Sequence, residues 1–113
     1  MTLEELKAYG ADTDAGLQRC MNNENFYLRL VKMIPGDDNF RKLKEALEGG
    51  NLDAAFEAAH ALKGSSGNLA LTPIYAPVNE MTDLLRARTQ TDYTEGLKAV
   101  LDARDRLQAI CGE

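Results

Sequence analysis

The stretch His60-Ala61-Leu62-Lys63-Gly64-Ser65-Ser66-Gly67-Asn68-Leu69 decides how this chain is read, and it contains the only histidine among 113 residues. A lysine follows the histidine three positions on, and glycines follow at four and seven. On a helical wheel begun near Leu52, at about 100° per residue, Leu52, Ala55, Ala59, Leu62, Ser66 and Leu69 gather into one small-and-apolar stripe. Phe56 lies on its edge. His60 falls roughly 120° from the middle of that stripe, so its ring points outward. Gly64 and Gly67 share its side of the helix. A glycine inside a helix costs up to about 1 kcal/mol relative to alanine. Here the pair leaves bare backbone where side chains would otherwise crowd the imidazole, and a histidine so placed is open to a large partner.

A second reading of the same residues stands beside this one. Gly-Ser-Ser-Gly-Asn is also a loop composition, and Gly64 fits the C′ position of a helix that ends at Lys63. His60 would then be a surface histidine near a helix C-terminus, where positive charge is favourable. Spacing alone does not separate the two.

Working outward, the length of 113 residues fits one domain over residues 1–113, able to bury roughly 65% of the surface its unfolded chain would expose. Apolar content of 44% and charged content of 27% are ordinary for a globular protein. The longest apolar run is far short of the ~20 residues a membrane span needs. Met1-Thr2-Leu3-Glu4-Glu5 has neither the basic start nor the apolar core of a secretory signal. Cys20 and Cys111 are too few and too distant for a zinc or redox motif, and read as helix-face residues of a reduced, cytoplasmic protein. A net charge of −5 argues against nucleic acid and anionic membrane as main partners.

Taken in order, Thr2 and Glu5 form a capping-box pair for a short helix stopped by Gly10. Asp12 or Thr13 caps a second, with Leu17, Cys20 and Met21 at helical spacing. After Asn22-Asn23, Tyr27, Leu30, Val31 and Ile34 mark a third, ended by Pro35-Gly36. Asp37 and Asp38 begin a fourth, with Phe40, Leu43 and Leu47 inward, closed by Gly49-Gly50; Asn51 then caps the histidine-bearing helix. Thr72-Pro73 restarts the chain as an N-cap and first-turn proline. Ile74, Val78, Met81 and Leu85 form the buried face of that helix, and Pro77 falls inside its second turn, where it removes one backbone bond and can kink the chain. Thr91-Asp92 opens the last helix, with Leu97, Val100, Leu101, Leu107 and Cys111 as its stripe. Short connections between amphipathic helices favour antiparallel neighbours. The expected fold is all-α, an up-down-up-down four-helix bundle with additional short N-terminal helices.

Other chemistries lack their residues. Asp12-Thr13-Asp14-Ala15-Gly16 lacks the third oxygen ligand of an EF-hand loop, and position 23 is Asn rather than the required glutamate, so helix capping explains it. Gly64-Ser65-Ser66-Gly67 is not a Gly-x-Ser-x-Gly nucleophile elbow, which also needs a preceding strand. One histidine without neighbouring ligands builds no metal site. No Gly-rich phosphate loop is present.

The run His-x-Leu-Lys-Gly-Ser-Ser-Gly-Asn-Leu resembles the signature of histidine-containing phosphotransfer (HPt) domains, the small helical intermediates of multistep phosphorelays. The likeness covers His60, Lys63, Gly64, the small residue Ser66 and the Asn68-Leu69 ending, and extends to the number and order of helices and the chain length. Ala70 stands where the family often has glycine. The resemblance implies that His60 takes a phosphoryl group from the aspartyl phosphate of a receiver domain and passes it to another receiver's aspartate. It implies a phosphocarrier rather than an enzyme, with no cofactor and no metal of its own, since the magnesium belongs to the receiver. A neutral imidazole is a competent nucleophile near pH 7. Lys63, nearly one turn on, has a stem long enough to bring its ammonium to the phosphoryl oxygens. Gly64 and Gly67 would clear the receiver's approach. The alternative is a non-phosphorylated helical adaptor that binds receiver or kinase domains; an adaptor has no need of the histidine and lysine, and both remain here. No heptad seam calls for a dimer, so a monomer is expected.

One expectation comes from geometry. If the histidine-bearing helix and its successor turn near Leu71, residues equally distant from the turn lie level, which brings Thr82 beside His60. The Thr82 hydroxyl or the Arg86 guanidinium then approaches the imidazole, and Ser66 is the third possible neighbour. The rotation of the second helix decides whether these are plain solvated side chains instead.

Overall fold

A computed structural model describes residues 1–112, which form seven α-helices and no strand: α1 (Leu3–Tyr9), α2 (Thr13–Arg19), α3 (Glu24–Met33), α4 (Asn39–Glu48), α5 (Leu52–Asn68), α6 (Thr72–Arg86) and α7 (Thr94–Cys111). Helix α5 is central. It packs on α4 and on α6, and α6 packs in turn on α7. Three-residue connections before and after α5 leave its neighbours no course but back along it. Near the 69–71 turn the Tyr75 ring covers Gly67, while at the far end Arg88 reaches Asp53 in the first turn of α5 at 2.6 Å. The two helices are therefore antiparallel, with residues equally far from Leu71 level with one another.

Buried apolar side chains from every helix but α2 fill one core, including Leu6, Tyr27, Val31, Phe40, Leu43, Leu62, Ile74, Leu85 and Leu107; α2 contributes the buried residues Thr13 and Gly16. Side-chain caps start four of the seven helices, three of them, at Thr2, Asp12 and Asn51, as the sequence predicts. Thr2 and Glu5 exchange side-chain and backbone bonds of 2.9 and 3.1 Å, Asn23 accepts from Phe26 N–H at 3.0 Å, and Asn51 accepts from Ala54 N–H at 3.0 Å. Asp12 accepts from Ala15 N–H at 3.1 Å, so the acidic stretch is a helix cap.

The three N-terminal helices do more than precede the bundle. Helix α1 lies on α7, where the Tyr9 hydroxyl donates to the Ala103 carbonyl at 2.8 Å and Arg106 donates to the Tyr9 carbonyl at 3.0 Å. Burial holds the Tyr9 phenol well above its usual pKa. From α2, Arg19 donates to the carbonyls of Gly67 and Asn68 at 2.6 and 3.4 Å. The Tyr27 hydroxyl donates to the Leu69 carbonyl at 2.9 Å, and Asp12 N–H donates to the Ala70 carbonyl at 3.0 Å. The carbonyls that a helix end leaves unpaired thus find partners more than forty residues away in sequence. Gly16 makes room for one of them: a Cβ there would stand 2.4 Å from the Tyr27 ring.

Several details differ from the sequence expectation. Met21, placed on the α2 stripe, is 84% exposed, because α2 ends at Arg19 and the chain turns through left-handed φ of 56° at both Met21 and Asn22. Leu71, not Thr72, precedes the first turn of α6, and it gives no side-chain cap. Pro77 does lie inside α6, as expected, and the helix runs on through it. Ala46 and Ala103 are buried although neither stood out, since a methyl group contributes little to a periodic pattern.

Burial, reinforced by Cys20 and Asp12, raises the Tyr27 phenol from 10.0 to about 12. A phenol with a raised folded-state pKa favours folding in its protonated form. That contribution is complete below pH 10 and is lost as pH climbs through about 12. Tyr27→Phe is expected to cost about 1–2 kcal/mol near pH 7, by leaving the Leu69 carbonyl without its donor. Urea unfolding of both proteins should show the gap narrowing between pH 10 and about 12.

Candidate functional site

Helix α5 is continuous from Leu52 to Asn68, which overturns the reading in which it stops at Lys63. Two features carry it through the glycine- and serine-rich stretch. Ala55, Ala58, Ala59, Leu62 and Ser66 are buried against neighbouring helices, and tertiary packing outweighs weak local propensity. The Ser66 hydroxyl folds back onto the Leu62 carbonyl at 2.6 Å, so a polar side chain enters the core with its donor satisfied.

His60 is exposed on the opposite side, as the wheel predicts. Its ring stacks on Phe56 one turn back, with centroids 5.6 Å apart and planes 30° apart. Beside it opens a groove of about 650 Å³, floored by α5 and flanked by α2 and α6. His60, Lys63, Gly64 and Gly67 line it from α5, Asp12 and Arg19 from the α2 side, and Thr72 and Tyr75 from α6. The Lys63 stem is half-buried, and its ammonium joins no ion pair or hydrogen bond among the described residues. It is a cation held at the groove without a resident partner.

The two glycines differ. A Cβ at Gly64 would meet nothing within 4 Å, so this is open backbone. At Gly67 a Cβ would stand 2.9 Å from the Tyr75 ring. Gly67 therefore seats an aromatic side chain of α6 and does not leave the helix bare.

Of the expected neighbours, Arg86 reaches the Phe56 ring rather than the imidazole itself. Thr82 is level with His60 but wholly buried, and its hydroxyl donates to the Val78 carbonyl at 2.7 Å. The register of the α5–α6 hairpin is as expected; the rotation of α6 turns Thr82 into the core, where an own-helix carbonyl satisfies it. Ser66 is buried in the same manner. The Arg86 guanidinium lies 5.7 Å from the centroid of Phe56, the ring on which His60 stacks, and pairs with Asp83 at 3.1 Å. Arg19 and Tyr75 were not singled out from sequence. Neither belongs to a local pattern, and both arrive through tertiary packing. Phe56 carried one signal, its place four residues before His60 at the stripe's edge.

Helices α4 to α7 make up the segment that matches a known family. Residues 36–110, about two thirds of the chain, match the Hpt domain, and the chain belongs to the Hpt domain family. Comparison with curated proteins and with solved structures gives no significant match. Hpt domains act in phosphotransfer within phosphorelay signalling, as phosphocarrier modules that interact with receiver domains and not as enzymes in the usual sense. Among the described residues, no helix is long and apolar enough to cross a membrane.

The unlike surroundings of the glycines give a test. Gly64→Ala should leave the protein folded and raise its stability by up to about 1 kcal/mol, since an open helical position gains alanine's propensity. Gly67→Ala should lower stability by about 1–3 kcal/mol by pushing the Tyr75 ring away. Thermal unfolding of the two variants beside the parent reads both.

Proposed function

We propose that His60 is the phosphoacceptor of this Hpt domain. The observation that carries this reading is an exposed imidazole lining one groove with an uncommitted lysine and open glycine backbone. An unprotonated imidazole nitrogen directs its lone pair at the phosphorus of a receiver's aspartyl phosphate. The new N–P bond forms as the acyl P–O bond breaks, and the aspartate leaves as a carboxylate with the electron pair. Return of the phosphoryl group to a second receiver reverses these steps. Such in-line transfer asks mainly for positioning and for stabilisation of charge on the phosphoryl oxygens.

Lys63 supplies that stabilisation from the groove side, as a point charge on a flexible stem. Gly64 admits the receiver's surface to the helix. Arg86 adds positive charge over Phe56. Thr82 takes no part in this scheme, and Gly67 acts through Tyr75. Magnesium is the receiver's to supply, and the receiver docks over a small interface, because a relay must release its partner.

Transfer from a panel of phosphorylated receiver domains to the wild type and to His60→Gln tests the reading. The expected result is label on the wild type that is labile to acid, stable to alkali and absent from the variant. Receiver binding without label, equal in both proteins, would point to an adaptor and sink the proposal. Lys63→Ala should fold normally and slow transfer by about ten- to a hundredfold, the worth of one hydrogen bond to a charged group. An unchanged rate would remove Lys63 from the site.

A further inference from the structure

We infer that Phe56 is a positioning residue for His60, a platform that holds the imidazole and is itself held by Arg88; the inference rests on His60 being the phosphoacceptor. Side chains on a helix lean toward its N-terminus, so an exposed residue lies over the one four places earlier. For His60 that residue is Phe56, and the two rings stack with centroids 5.6 Å apart. Without such a surface, an exposed imidazole exchanges among rotamers. In-line transfer draws only on the rotamer that aims its nitrogen at phosphorus.

The platform is in turn fixed from α6. Arg88 lies just beyond the last turn of that helix, and its guanidinium carbon is 4.9 Å from the Phe56 centroid. Three further contacts hold it there. Its Nε donates to Asp53 at 2.6 Å, and its Nη1 donates to the carbonyls of Leu85 and Arg86 at 2.7 and 3.3 Å. The Arg88 backbone has a φ of 52°, a left-handed conformation that a bulky residue adopts only where its surroundings hold it. One side chain thus caps α6, ties it to the first turn of α5 and braces the ring beneath the histidine. Arg86, 5.7 Å from the same ring, is held less firmly, by Asp83 on its own helix. Among the described residues, no other ring stacks on the imidazole. Lys63 and Gly64 bear on what approaches His60, while Phe56 bears on how the ring stands before anything approaches.

The chain's single histidine makes its imidazole proton resonances unambiguous. Stacking on Phe56 displaces them by ring current, so NMR reports the platform directly. Phosphoramidate serves as a donor that needs no receiver: its P–N bond breaks, ammonia leaves, and a new N–P bond forms at the imidazole. Phe56→Leu preserves apolar volume and removes the aromatic face. It is expected to fold, lose the ring-current displacement and slow phosphorylation by about three- to tenfold, the range that aromatic pairing energies imply. Phe56→Tyr should restore both. Arg88→Gly suits the left-handed backbone and retains the Phe56 side chain without its brace, so it should keep the fold while shrinking the displacement.

A Phe56→Leu rate within about twofold of wild type overturns the inference, as does a Phe56→Tyr variant no faster than Phe56→Leu. Failure of the underlying reading looks different. The wild type would then acquire no label at His60 from receivers, while the ring-current displacement and its loss in Phe56→Leu would still judge the platform.

Discussion

The end of α5 is the constraint on which the rest of the structure depends. A helix leaves its last carbonyls unpaired, and burying them without partners is costly. Here they are met by the N-terminal helices and paired there, with the Arg19 guanidinium, the Tyr27 hydroxyl and the Asp12 amide as donors. Arg19 also places positive charge at the negative end of the helix dipole. The same arginine lines the groove beside His60, so the contact that finishes the helix also shapes one wall of the site. Gly16 is a condition of this arrangement, because any side chain there would displace the Tyr27 ring.

Around this fixed end the site divides into parts that are held and parts that are open. Phe56, Tyr75 and Arg88 are packed or hydrogen-bonded into place. His60, Lys63 and Gly64 face solvent or the groove. A module that must accept and release a partner needs both. The open parts cannot carry much stability, and the Gly64 backbone, with no side chain over it, forgoes some helix propensity. That loss is tolerable because the opposite face of α5 is buried between α4 and α6. Packing on one face permits bareness on the other.

Much of this was legible in the sequence, for reasons that can be traced. The alternation of buried and exposed positions along α5 follows directly from helical periodicity, and it put His60 outward. Turn chemistry placed most helix starts within a residue or two, since Asp, Asn and Thr caps act locally. The hairpin register about Leu71 also followed, because a three-residue connection leaves little freedom. The rotation of α6 did not follow, and it buried Thr82. Rotation is set by the packing of a whole face, and a threonine satisfied by its own helix looks no different in sequence from an exposed one. Ser66, offered as a further neighbour of His60, is buried where the helical stripe of α5 had already put it. The roles of Arg19 and Tyr75 were out of reach, because their contacts join residues of different helices and leave no periodic trace. Gly67 illustrates the limit well: its reason lies in a tyrosine of the next helix.

Helices α1 and α7 lie side by side, with the Cys111 thiol 3.9 Å from the Met1 sulfur, so both ends of the described chain leave the bundle at one pole. His60 lies elsewhere, partway along the flank formed by α5. Any sequence joined at either terminus would therefore start from the same pole. A receiver carried on such a flexible tether would meet the site at an effective concentration set by tether length, of millimolar order for a short one. Weak docking, which suits release, would then be no barrier to fast exchange, and the choice among competing receivers would rest on tether geometry as much as on surface complementarity.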